Sequence, residues 1–170
     1  MEKNGIIIIE PGVDVWPHEK RTVEALAASG MSVKFLRRKQ GDHVRTPDVV
    51  IDGETWEMKS PQSSDMDKIR KNLRKALGQS RNIIFDSQRI KGAPDLGVER
   101  ELRKQAVAMR QIRKLLLVNK KREVIDIKER LAYILKQQST GMVSTYTIVG
   151  ALLLGCIGLA LVRLSSPVLF

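Results

Sequence analysis

With 170 residues the chain is long enough for one domain with a real core, but not for two large ones. Its 30 Lys and Arg against 19 Asp and Glu give a net charge of +11, which favours a polyanionic partner, either nucleic acid or an anionic membrane surface. A single cysteine, Cys156, excludes an intramolecular disulfide and a thiolate metal site, and 4% aromatic content leaves few platforms for base stacking, so contact with a polyanion falls mainly on phosphates and shape.

The charge is not a tail: after residue 140 only Arg163 is charged, so the basic excess belongs to the folded part. Gly5-Ile6-Ile7-Ile8-Ile9 reads as a short buried strand, and without a basic leader and cleavage site it is not a signal peptide. Pro11-Gly12 breaks it, and a helix follows from near Pro17 to Gly30. Glu19, Val23, Leu26 and Ala27 share one stripe of that helix, so Glu19 either looks inward at its N-terminal end or complements the helix dipole. Met31 to Leu36 alternates as a strand, and Arg37-Arg38-Lys39 then opens a polar connection whose cations either meet a substrate phosphate or decorate a loop. His18 and His43 lack zinc-site spacing and read as ordinary residues.

Residues 47 to 61, PDVVIDGETWEMKSP, carry the densest information in the chain. Asp52-Gly53 between two β-rich runs predicts a type I′ hairpin, because both central positions need φ > 0. A two-residue loop forces the register: Ile51 faces Glu54, Val50 faces Thr55, Val49 faces Trp56 and Asp48 faces Glu57. Lys59 returns to the face of Glu57 through the two-residue period of a strand. Opposed carboxylates destabilise a sheet unless something compensates them, and a hard divalent cation would, since Mg²⁺ takes one or two carboxylates and leaves room for a phosphate oxygen. Lys59 would then orient or help deprotonate the attacking water, or offset charge on the phosphate. The plainer reading is an exposed hairpin with solvated Glu57 and Lys59.

A helix from about Asp67 to Leu77 follows, with Ile69, Leu73, Ala76 and Leu77 inward and Lys68, Arg70, Lys71, Arg74 and Lys75 over the rest; it is the best nucleic-acid contact in the chain. Ile83-Ile84-Phe85-Asp86 is a short strand, with Asp86 either capping the next turn or acting as a further ligand. Residues 97 to 112 are helical, Leu115 to Val118 and Val124 to Ile127 form a second hairpin, and Glu129 to Gln138 is a last amphipathic helix. Met142 to Leu161 has no charge and is long enough to span a bilayer, which predicts a C-terminal transmembrane anchor over 142–164, membrane association, and a cytoplasmic position for the basic domain, 1–138; a hidden core helix or a hydrophobic partner-binding tail is the alternative.

Pro47-Asp48 followed by Glu57-x-Lys59 resembles the PD-(D/E)xK core of metal-dependent nucleases. The longer phrase PDVVIDGETWEMKSP, with the basic helix and QSRNIIFD after it, resembles the tRNA-nuclease C-terminal domain of CdiA-type contact-dependent inhibition toxins, over roughly residues 17 to 128. The resemblance implies a mixed central β-sheet flanked by helices in an α/β (α+β) fold with a restriction-endonuclease-like core. It implies Mg²⁺ or Mn²⁺ on Asp48, Glu57 and the Met58 carbonyl, Glu19 joining from the first helix, and Gln79 as an accessory polar residue. It further implies hydrolysis of RNA, tRNA in particular, and an immunity protein as partner if the chain is a toxin. A DNA endonuclease of the same kind and a non-catalytic, membrane-tethered nucleic-acid-binding module are the alternatives.

Overall fold

The runs of β-branched residues pair with their neighbours in sequence, so the sheet of this computed structural model follows chain order; it describes residues 4–37, 46–134 and 136. The seven strands are β1 (Ile7–Ile8), β2 (Val33–Phe35), β3 (Val49–Ile51), β4 (Glu54–Lys59), β5 (Asn82–Asp86), β6 (Lys114–Val118) and β7 (Val124–Asp126). β2, β3 and β4 form an antiparallel meander, and β4, β5 and β6 are parallel. β1 adds parallel to β2 at one edge, and β7 adds antiparallel to β6 at the other.

Each parallel step needs a crossover, and helices α1 (Pro17–Ala28), α2 (Met66–Leu77) and α3 (Asp95–Ala108) supply them. Pro17 opens α1 at a position where its missing N–H costs nothing. The helix ends in a Schellman turn in which Met31 N–H donates to the Leu26 carbonyl at 3.1 Å and Gly30 takes φ +92°. The Asp65 side chain caps α2 by accepting from Asp67 N–H at 2.9 Å. Residues 127–134 continue as a fourth helix, started by Asp126, whose Oδ1 accepts from the N–H groups of Lys128 and Glu129. The chain divides into two compact units at residue 130, and of the second only 131–134 and 136 are described.

The strand period divides the core. Val23 and Leu26 of α1 pack with Val33, Phe35, Val49, Ile51, Trp56, Met58, Ile84, Leu116 and Val118 in one buried cluster. Glu57 and Lys59 alternate with Trp56 and Met58, so they lie on the other face of β4, and α2 packs against β4 and β5.

Several expectations are corrected. In place of a restriction-endonuclease-like core with a transmembrane helix, the described chain is a mixed α+β arrangement on a seven-stranded sheet whose edges are the short strands β1 and β7. Among the described residues no helix is long and apolar enough to cross a membrane, since α1, α2 and α3 run only 12, 12 and 14 residues and each carries charged side chains; the segment 142–164 lies outside the described residues. The first strand is not buried: as a two-residue edge strand it leaves Ile6, Ile8 and Ile9 exposed. The third helix stops at Ala108 rather than residue 112, since Met109 leaves helical geometry and the buried Ile112 anchors the link into β6.

Candidate active site

The central hairpin has the register its turn requires, with Val49 opposite Trp56, Val50 opposite Thr55 and Ile51 opposite Glu54. Asp52 and Gly53 take φ of +51° and +77°, the left-handed values of a I′ turn. Just before β3, Asp48 N–H donates to the Trp56 carbonyl at 3.0 Å, so Asp48 and Val49 both lie against Trp56, and the expected Asp48–Glu57 pair is not part of the ladder. Asp48 Oδ2 accepts from Met58 N–H at 2.8 Å, which holds its carboxylate beside β4 and next to Glu57.

Glu57 is only 1% exposed. Lys59 Nζ donates to its Oε1 and forms an ion pair with it. Gln79 Nε2 donates to its Oε2 at 2.9 Å and also reaches the Thr46 carbonyl at 3.2 Å. Burial pushes the Glu57 carboxyl up to about 7; Lys59 pulls the other way, and the Asp48 carboxylate adds to the rise. The patch is therefore a buried acid with a second carboxylate, one ammonium and one amide around it. Of the plain alternative, a solvated Glu57, the structure leaves nothing.

The remaining expected residues fall in different places. Glu19 Oε2 accepts from the Trp16 N–H at 3.1 Å, the contact of a residue that caps its own helix. Among the described residues, no three of His, Cys, Asp and Glu come together as a metal cluster, so the acidic pair available is Asp48 with Glu57. Lys68, Lys71, Arg74 and Lys75 are exposed on α2, while Arg70 is half-buried and lies 3.6 Å from Asp67. Arg37 is exposed at the end of the β2 segment, and Arg38 and Lys39 lie outside the described residues.

Sequence reading underrated Asp86. It is buried on the α1 side of the sheet, where Oδ2 accepts from the hydroxyls of Thr22 (2.8 Å) and Ser60 (3.0 Å) and Oδ1 accepts from Gln88 N–H (2.8 Å). It does cap the following turn, and it also ties α1 to the end of β4 immediately after Lys59. The partners are 64 and 26 residues away, so no local spacing announces them.

The carboxylates of Asp48 and Glu57 are the oxygen ligands this patch offers, a set that suits a small hard cation, which needs few protein ligands and retains water. Residues 45–124, a little under half the chain, match the family model of the contact-dependent growth inhibition CdiA C-terminal domain. A CdiA-CT/CdiI toxin and immunity complex from Burkholderia pseudomallei is similar in fold, with a TM-score of 0.55 at 18% identity, over 72% of this chain and 98% of that one. No curated protein sequence matches the chain.

Proposed function

We propose that the chain is a metal-dependent endonuclease acting on RNA, with tRNA the favoured substrate, and that it works as a toxin domain of the CdiA C-terminal kind. The observation that carries this reading is Glu57: a carboxylate buried to 1% exposure beside a second carboxylate, with Lys59 and Gln79 fixed on its two oxygens. A structural residue at that place would be apolar, because burying an acid next to another acid is costly. The match over residues 45–124 covers the whole hairpin and α2, and toxins of this kind are typically nucleases.

In this reading Asp48 and Glu57, with the Met58 carbonyl that the family resemblance adds, would hold Mg²⁺ or Mn²⁺. The ion, when bound, supplies charge stabilisation for the phosphate oxygens and lowers the pKa of water. Asp48 is held ready by the Met58 N–H, and Gln79 keeps Glu57 Oε2 pointed in one direction. Lys59 transfers its hydrogen bond from Glu57 to the attacking water or to the phosphate. The exposed cations of α2 grip the flanking backbone, and the salt dependence of binding reports them. The similar fold is that of a toxin described in complex with its immunity protein, which supports an immunity protein as partner here.

The test is cleavage of total tRNA, and separately of plasmid DNA, by the full chain with Mg²⁺, with Mn²⁺ and with EDTA, beside Glu57→Gln and Lys59→Ala. Metal-dependent cleavage of tRNA, lost in both variants, is the expected result. Preferred cutting of the plasmid would replace RNA by DNA, and binding without cleavage under both metals would overturn the enzyme reading.

A further inference from the structure

The three parallel strands end together. Lys59 of β4 lies in register with Phe85 of β5, and Phe85 with Leu117 of β6, so the chain leaves all three at one end of the sheet. Ligands gather outside the carboxyl ends of parallel strands, where connecting loops converge. Lys59 belongs to the carboxylate patch, so this end begins at the candidate active site and runs from it across β5 to β6.

Each further strand brings cations to it. After β5, Arg89 is half-buried, and its Nη1 donates at 3.4 Å to the carbonyl of Ser60, the residue next to Lys59. Lys91 follows and is exposed. After β6, the turn into β7 carries Lys120, Lys121 and Arg122 and is tied at two points: Lys120 Nζ donates to the Ala93 carbonyl at 2.5 Å, and Arg122 pairs with Glu24 of α1 at 3.3 Å. Arg122 takes φ +65°, where glycine would be unstrained, so the turn keeps a cation at a cost of about 1 kcal/mol. Lys121 stands exposed between the two ties. Among the described residues Arg89, Lys91 and Lys121 have no carboxylate partner, whereas Asp86 at the same end is buried beneath the hydroxyls of Thr22 and Ser60. From β4 to β6 is two strand spacings, about 10 Å, or roughly three steps of a stacked nucleic-acid strand.

We infer that this sheet end is a phosphate track, on which Arg89, Lys91 and Lys121 hold successive phosphates of the RNA strand to one side of the carboxylate pair. The choice of RNA rests on the nuclease reading; the convergence of unmatched cations at one end of the sheet does not.

The test is the salt dependence of binding, read by fluorescence anisotropy of a labelled single-stranded RNA with the full chain in EDTA, so that binding is read apart from metal-dependent cleavage. One variant carries Lys91→Ala with Lys121→Ala. Its control carries Arg81→Ala with Arg110→Ala, two exposed arginines that precede β5 and β6 at the opposite end of the sheet. Both lose two charges, so the general field of the protein changes equally. At about 0.7 per phosphate contact, the first pair is expected to flatten the log–log slope by about 1.4 and Arg89→Gln by about 0.7, while the control leaves it unchanged. Equal changes in the two pairs, or an unchanged slope in the first, would overturn the track. Binding to phosphatidylglycerol vesicles that depends on Lys91 and Lys121, when binding to RNA does not, would replace the nucleic acid by a membrane surface. A chain with the expected slopes that cleaves neither polymer keeps the track and loses the nuclease reading; one that cleaves while its two pairs behave alike loses only the track.

Discussion

Glu57→Gln separates the electrostatics of the buried acid from its shape. The carboxyl titrates at about 7 in the folded chain against an ordinary value of 4.5, chiefly because burial penalises its charge, with Lys59 opposing and Asp48 reinforcing the rise. A pKa raised on folding means that the folded state holds the proton more tightly, so this group's stabilising contribution is full below pH 4.5 and is lost as pH climbs through about 7. At about 1.4 kcal/mol per unit, that loss amounts to roughly 2–3 kcal/mol between pH 5 and pH 8. The glutamine has the same shape and nothing to ionise, so its stability relative to the wild type should rise by that amount over the same interval. Urea denaturation followed by the fluorescence of the buried Trp56, at pH 5 and pH 8 in EDTA, reads the difference as a shift of roughly 1 M in relative midpoint. Wild-type and variant stabilities that stay parallel across this range, within about 0.5 kcal/mol, would refute the buried-acid argument.

Gly53→Ala tests the hairpin turn: no atom lies within 4 Å of an added Cβ, so the cost is the left-handed backbone alone, about 1 kcal/mol in urea denaturation. Asp86→Ala leaves the donors of Ser60 and Gln88 without their acceptor, while the Thr22 hydroxyl falls back on the His18 carbonyl at 3.0 Å, and should destabilise by about 2 kcal/mol, with a loss under 1 kcal/mol contradicting its structural role. Replacing Lys68, Lys71, Arg74 and Lys75 together by alanine should flatten the salt dependence of RNA binding by about 3 in log–log slope while leaving thermal stability near that of the wild type, because all four are exposed.

The ladder of the central hairpin was legible. Asp52-Gly53 dictated turn type, and turn type dictated the register from Ile51–Glu54 to Val49–Trp56; the expected Asp48–Glu57 pair is not in that register, and Asp48 comes to Glu57 through its side-chain bond with Met58 N–H. The polar face of α2 was equally legible, because helical periodicity separates Ile69, Leu73 and Ala76 from the cations between them. Gln79 was reached only through family resemblance; the structure adds its bond to Glu57. The edge character of the first strand was misread, because a run of isoleucines has the same pattern whether a neighbour strand covers it or not.

The sequence by itself therefore determined what is local: strands, helices, a turn whose φ values admit few residues, and one carboxylate on each arm of the hairpin. Tertiary structure alone decided how deep that pair lies, and depth is what turns Glu57 from a solvated side chain into an acid titrating at about 7. It also decided that α2 closes over β4 and β5, that Asp86 binds α1 to the end of β4, and that Arg81 and Arg113 meet beside Gln79. Burial and long-range pairing depend on what the rest of the chain packs against a residue, and no spacing within fifteen residues encodes that.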